Sequence, residues 1–459
     1  MTSPRRIFAS VTVLTTLICA HAPNPVSAEE KIPLKLAIPV EPIAAIVDAF
    51  RSHRIVALGD NHGNEQGHKF RLSLIRDPRF AAAVDDIVVE FGSARYQDLM
   101  DRFVHGGDVS YESLRQVWQN TTQPEYEWDL PIYEEFFRAV RSVNASLPSE
   151  QQVRVLLGDP PVDWDRVHTI EDLRKQMGDR DDHAVEVIRS EVLARNRRAL
   201  VIYGDEHLVR KNPITGVADE WAGGIVARLE KAAITNVFSI HTDTRADWST
   251  LQPDVASWPN PSLAIIRGTP LGAAEFATRP RLRPVRMEEQ FDAFLYLGPP
   301  SRMKIAQISR ALCSDPGYME MRLRRLALIP PPPGAPFNPV DRLKEYCVLA
   351  EGTTEIPDRE PAITESIRQT IRDAALGKVD PARIAPESRE RLTAFLKDSG
   401  PRFLGPLGTI ESLTLLTDTS AGGKRIRRYR TVFANGQKMI WTVGLSSSGE
   451  IVSLDPRRE

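Results

Sequence analysis

The sequence predicts an α/β fold, a mostly parallel sheet with helices on both faces, followed by a small α+β domain with an antiparallel meander. Three observations carry that prediction. Short apolar runs alternate with helix-periodic stretches over the first two thirds of the chain, as expected where crossover helices join parallel strands. Four of those runs end in glycine followed by polar residues, at Gly59, Gly92, Gly158 and Gly204. Beyond residue 400 the pattern changes to period two between the turn pairs Gly422-Gly423, Asn435-Gly436 and Ser448-Gly449.

A chain of 459 residues with 42% hydrophobic residues can fill two cores. A net charge of −2 gives no electrostatic reason to expect nucleic acid or an anionic membrane as partner. Arg5 and Arg6, the apolar stretch Ile7 to Ala20 and Val26-Ser27-Ala28 form the three regions of an export signal. The stretch is shorter than the ~20 residues that span a bilayer, so no integral span is expected after cleavage. Residues 1–28 are therefore set aside, and the mature chain is expected in the periplasm or secreted. It keeps two cysteines, Cys313 and Cys347, an even count for an oxidising compartment. A disulfide between them is predicted, the alternative being two buried free thiols.

The elements follow in order. Ile43, Ile46, Val47 and Phe50 mark a helix that leads into the strand Ile55 to Leu58. Glu65 to Arg76 is a helix stopped at Asp77-Pro78, and Asp86 to Gly92 a second buried strand. Helices over 94–104, 113–119 and 131–143 precede a third strand at Val153 to Leu157. A helix over 181–197 delivers the chain to the fourth, Ala199 to Tyr203. A helix over 222–229, a fifth strand over 236–240 and late strands over 263–266 and 291–297 complete the first domain, residues 29–348. Its last part, 299–348, is a helical extension holding Pro330-Pro331-Pro332-Pro333 and the predicted disulfide, with no chemistry visible in it. Residues 349–361 are acidic and suit a linker, and 362–459 form the small domain. Its basic run Lys424 to Arg430 suits a solvated strand edge.

In parallel sheets ligands gather at the carboxyl ends of the strands. His62, Glu90, Asp159 and His207 all stand there, with Asp60, Asp205 and Glu206 beside them. Two imidazoles and a carboxylate can bind a divalent metal that activates water, or polarise water directly through a carboxylate-oriented base. The spacing GxxH, found at Gly59/His62 and Gly204/His207, is explained by a turn that a Cβ would obstruct. One copy alone is as well read as a polar strand end; two copies with Glu90 between them favour a shared cleft. Arg95 either holds an anionic substrate group or pairs with Asp98. His183 either lines the cleft or caps a solvated helix start, and His68 faces cleft or solvent. Trp118, Trp128 and Trp164 lie in the insertions above the site as core, lid or apolar wall.

The ordered set Gly59-Asp60-Asn61-His62-Gly63, Val89-Glu90-Phe91, Gln97, Leu99, Trp118, Pro131-Ile132-Tyr133 and Gly204-Asp205-Glu206-His207-Leu208 resembles one superfamily. That superfamily joins the ChaN-like haem-binding proteins, the Tiki-type proteases and the erythromycin esterases. The resemblance covers roughly Pro33 to His241 and departs from the pattern at Asp60, where the usual residue is glutamate. It implies function at His62, Glu90 and His207. It also implies either hydrolysis of an ester or amide in a small molecule or peptide, or haem or iron binding without turnover. Hydrolysis is metal-dependent in the Tiki-type proteins, which would make His62, His207 and Glu90 ligands, and metal-independent in the esterases.

Overall fold

Ile55-Val56-Ala57-Leu58 has no polar side chain to offer water, and in the computed structural model it becomes strand β1 (Ile55–Gly59), buried along its whole length. Apolar runs at Ile87–Val89, Val155–Leu157 and Ala199–Ile202 likewise make β2 (Asp86–Ser93), β3 (Arg154–Asp159) and β4 (Ala199–Tyr203) buried strands, with polar residues at the ends of β2 and β3. β5 (Val237–His241), β6 (Ser262–Ile265) and β9 (Ala293–Tyr296) complete a seven-stranded sheet of order β3-β2-β4-β1-β5-β9-β6. Every pairing in it is parallel except β6 with β9. A short hairpin of β7 (Glu275–Phe276) and β8 (Val285–Arg286) lies apart. The structure describes residues 34–211, 223–231, 234–242, 248–276, 284–329, 340, 343–344, 347, 354–421 and 424–458. Residues 1–28, read as an export signal, Pro330 to Pro333 and the Gly422-Gly423 pair fall outside the described residues.

Register matters more here than strand count. Val89 of β2 is level with Ile202 of β4, and Leu58 of β1 is level with the same residue. The ladders that join β4 to β1 and to β2 therefore finish within a residue of each other, the first at Gly59 with Tyr203. Beyond Val89 the β2–β3 ladder slips and resumes only at Ser93 with Asp159. Glu90 stands in that irregular stretch, free of a regular ladder, on the edge where His62 and His207 arrive.

Apolar side chains fill both faces of the sheet. Val56, Leu58, Ile87, Val89 and Phe91 belong to one core, and Ile55, Ala57, Val88, Val201 and Tyr203 to another. Burying each such side chain contributes roughly 1.5–3 kcal/mol. Helix Glu65–Arg76 has the predicted boundaries, capped by Asn64. The expected helix over 181–197 is a helix from Arg180 to Val187 that widens at Ile188–Val192 and tightens at Leu193–Arg195. Helix Ile170–Met177, with a Thr169/Asp172 capping box, is additional to those expected. Among the described residues no helix is long and apolar enough to cross a membrane.

Downstream, helices Pro361–Ala375 and Arg389–Phe403 cover an antiparallel meander, β10 (Ile410–Ala421), β11 (Lys424–Phe433), β12 (Lys438–Leu445) and β13 (Ile451–Arg458). The basic run 424–430 is not an edge. It belongs to β11, an inner strand, and Arg427 is fully buried with its guanidinium 2.5 Å from Asp358 and 3.2 Å from Asp418. Acidic residues of the stretch read as a linker supply its partners: Asp358 takes Arg427, and the Ile356 amide donates to the Leu415 carbonyl at 3.0 Å.

The extension contributes helices Arg310–Cys313 and Pro316–Ala327, and Cys313 is bonded to Cys347 across 34 residues. Loop closure of that length stabilises by about 3–4 kcal/mol in the chain-entropy model. Replacing both cysteines by serine is expected to lower the urea unfolding free energy by that amount; an unchanged midpoint would count against a stabilising bridge.

Candidate functional site

Strand β4 lies between β1 and β2, so the residues after its end receive side chains from both neighbours. His62 comes from the β1 side and Glu90 from the β2 side, and they meet over Gly204. A Cβ at Gly204 would lie 3.0 Å from His62 Cε1 and 3.5 Å from a Glu90 oxygen. At Gly59 a Cβ would lie 1.9 Å from the Asp205 carboxylate. Neither glycine needs a left-handed backbone; Gly204 has φ −53°. The glycines of the two GxxH motifs are thus required by close approach between strand ends, which corrects the turn explanation.

Glu90 is the centre. Its side chain is 1% exposed, and each oxygen has one fixed donor and one imidazole. Oε1 accepts from Arg180 Nη2 at 2.8 Å and faces His207 Nε2 at 3.4 Å. Oε2 accepts from the Gly204 amide at 2.8 Å and faces His62 Nε2 at 3.8 Å. Burial pushes the Glu90 pKa up, but His207, His62 and Arg180 outweigh it and hold the group down to about 2. It is a carboxylate at any physiological pH.

The imidazoles are aimed from behind. His62 Nδ1 lies 3.0 Å from Asp60, and His207 Nδ1 lies 2.5 Å from Asp181. An ionised carboxylate only accepts, so each Nδ1 carries the proton and each Nε2 is turned to Glu90. Asp60 is locked in turn by the buried Arg71 guanidinium and by the Tyr133 hydroxyl at 3.3 Å. Burial raises the Asp60 pKa, but Arg71 and His62 override it and take the group far below the carboxylate range. Burial likewise opposes the charge on His62, and Glu90 with Asp60 reverses that, raising it to about 9. His207 is also raised, by Glu90 and Asp181 against burial. The His62 ring meets Trp128 edge-on at 4.6 Å, and 29% of its side chain remains open.

Asp159 stands behind Arg180, 3.3 Å from its Nε, and accepts from the Thr122 amide and hydroxyl at 2.6 Å each. Burial pushes it up to about 6 against the pull of Arg180 and Thr122. Asp60, Glu90, Asp159 and the two GxxH histidines are therefore brought together. Glu206 shares the short helix Asp205–Leu208 with His207 and is half-buried. Arg95 pairs with Asp163 at 3.1 Å and not with Asp98. The His183 Nε2 is buried without a hydrogen-bond partner among the described residues, and burial lowers its pKa. His68 bonds Glu135 at 2.9 Å, away from the cleft. Trp118 stacks on Phe137 as core.

Arg71, Arg180, Asp181 and Thr122 are site residues that the sequence reading lacks. Arg71 leaves a signal, a charge inside the buried stripe of its helix with His68, Leu72 and Ile75. Arg180 leaves none, because it opens a helix whose first turn is polar anyway.

Neither cofactor considered fits this arrangement. Among the described residues no group of three His, Cys, Asp or Glu side chains is placed to hold a metal ion. Both Glu90 oxygens are also taken, by Arg180 and the Gly204 amide. Haem would need an apolar face beside a ligating ring, whereas charged groups surround His62 and His207 and the Tyr133 and Tyr203 side chains are buried.

These charges make stability depend on pH in a defined direction. A histidine raised to about 9 from 6.5 contributes stability that is full below 6.5 and is lost as pH rises through 9. A glutamate lowered to about 2 from 4.5 contributes stability above 4.5 that is lost as pH falls toward 2. The urea midpoint is expected to drop between pH 7 and 10, and His62→Gln to flatten that drop. Equal slopes in parent and variant would remove His62 as its source.

No family model matches the chain, and no curated relative matches it. Solved structures resemble it weakly. A succinoglycan biosynthesis protein aligns at TM-score 0.41 and 10% identity, over 60% of this chain and 96% of that one. An erythromycin esterase mutant in its open conformation aligns at TM-score 0.39 and 12% identity, over 58% and 94%. ChaN of Campylobacter jejuni with cofacial haem aligns at TM-score 0.29 and 10% identity, over 47% and 95%. Esterase and ChaN are the groups that the ordered motif resembles, and at these scores the chemistry of the site rests on its own geometry.

Proposed function

We propose that the chain is an exported hydrolase that activates water at His62, Glu90 and His207 against an ester or amide. One observation carries the reading: two imidazoles, each tethered at Nδ1 by a carboxylate, present Nε2 to one buried carboxylate clamped by Arg180 and the Gly204 amide. Tethering fixes the tautomer and the aim of each ring, which is what general acid–base work requires.

Roles follow from charge and access. Glu90, at about 2, is too weak a base to take a proton from water. Its part is to set the charge of both rings and hold them apart. His62 is the base, because its ring is open at the rim and, among the described residues, its Nε2 makes no hydrogen bond and comes no nearer to Glu90 than 3.8 Å. His207 is the matching acid, returning a proton to the leaving group, and Trp128 forms the wall beside the reacting atoms. Periplasmic or extracellular location belongs to the same proposal, through the signal read at residues 1–28.

A base at about 9 is mostly protonated at neutrality, so kcat/KM on an ester or amide substrate is expected to rise ~10-fold per pH unit and level near 9. Glu90→Gln removes the largest raising influence on His62 and is expected to move that limb to lower pH. His62→Ala should lower kcat by about 10²–10⁴. A panel of carboxylic esters, lactones and peptides assayed from pH 6 to 10 checks all three. Hydrolysis retained in both His62→Ala and Glu90→Ala would remove this site from the reaction.

A further inference from the structure

Helix Pro316–Ala327 buries Tyr318, Arg322, Arg325 and Leu326. Two arginines on a buried helical stripe are costly, since a charge taken from water needs a partner to offset its desolvation. Arg322 has one: it grips Asp129 with bonds of 2.8 and 2.9 Å, and Tyr318 donates to the same carboxylate. Arg325 is different. Its guanidinium bonds two neutral oxygens, the Gln119 carbonyl and the Asn120 side chain, at 2.6 Å each, and lies over the Trp164 ring at 4.2 Å. Its Nε is buried without a hydrogen-bond partner among the described residues. Burial, then Arg322, pushes its pKa down to about 9.

What Arg325 holds is the start of the stretch that walls the site. Next to Asn120, Thr121 accepts at its carbonyl from Trp164 Nε1 at 2.9 Å. Thr122 donates twice to Asp159, Asp159 lies against Arg180, and Arg180 bonds Glu90. A continuous run of buried and half-buried contacts thus joins a helix of the disulfide-linked extension to the centre of the site.

We propose that Arg325 is a positioning residue: it fixes Gln119 to Thr122 so that Asp159, and through it Arg180, holds Glu90 between the two histidines. The role in turnover rests on the hydrolase reading; the geometric role does not. A merely structural arginine and a positioning one separate on replacement. Exchanging Arg325 for an apolar side chain of similar length removes a buried charge that has no acid partner, which offsets the loss of its two hydrogen bonds to neutral oxygens, so stability changes little. Loss of the Thr122 clamp frees Asp159, and with it Arg180, to shift, which changes how much of the Glu90 charge is left to both imidazoles and moves their titration.

The experiment compares the full chain, disulfide intact, with Arg325→Met and Trp164→Phe. Arg325→Met is expected to melt within about 3 °C of the parent or above it. NMR titration of His62 and His207 is expected to move by at least ~0.5 pH unit. On any ester the parent turns over, kcat should fall at least ~10-fold with little change in KM. Trp164→Phe keeps a ring beneath the guanidinium and loses the bond to Thr121, so it should move the titration the same way by less. Should Arg325→Met fail to fold, the titration of Trp164→Phe decides. Unchanged imidazole titration in the folded variants, or a fall in melting temperature that tracks the fall in turnover, overturns the proposal. A parent chain inert on the whole panel would defeat the hydrolase reading, and the titrations would still decide Arg325.

Discussion

The clamp on Glu90 is the interaction on which the rest of the site depends. A carboxylate with 1% of its surface exposed is tolerable only when its charge is matched and its lone pairs are filled. Arg180 and the Gly204 amide fill one lone pair on each oxygen, and the two imidazoles face the rest. Remove any one member and a buried charge is left short. This explains why the supports reach so far back: Asp60 and Asp181 behind the rings, Arg71 behind Asp60, Asp159 behind Arg180. Each layer exists because the layer in front of it carries charge.

Backbone register makes the clamp possible before any side chain is considered. The β1–β4 and β2–β4 ladders end level, and β2 alone runs on, out of register, for the residues that include Glu90. A regular ladder continued through Glu90 would tie its backbone to β3 and fix the side chain to one face of the sheet. Glycine at 59 and 204 then lets groups from adjacent strands cross where side chains would ordinarily collide. The two GxxH motifs share this geometry across strands: Asp205 of the second crowds Gly59 of the first, and His62 of the first lies over Gly204 of the second.

Much of this was legible in the sequence, and what was not follows a rule. The sheet, the meander, the helix Glu65–Arg76 and the strand-end residues His62, Glu90 and His207 are set by local pattern, period and glycine placement. The supporting charges are set by tertiary contact and leave little local trace. Arg180 and Asp181 sit in an acidic and basic helix start indistinguishable from a solvated one, yet both side chains turn to the site. The run 424–430 shows the converse, for its charge density suggests a surface edge while Asp358, distant in sequence, and Asp418, opposite it on β10, supply the acids that let Arg427 be buried. Buried ion pairs are the class of interaction that one-dimensional pattern hides, since each half alone looks like surface.

The same charge that stabilises the site also restrains it. Glu90 raises His62 to about 9, so at neutral pH the ring is an imidazolium that favours the folded state and cannot accept a proton. Weakening Glu90 would free the base but strand Arg180 and two rings without their shared counter-charge. Strengthening it would settle the fold and silence the base. A site arranged this way cannot reach maximal stability and a fully free base at neutral pH together, and the two-sided clamp is a compromise between them. The fixed donors carry the cost of burying Glu90, leaving the imidazoles beyond hydrogen-bond contact with it and His62 open at the rim. A carboxylate bonded directly to both rings would hold them more firmly and leave neither Nε2 to meet a substrate.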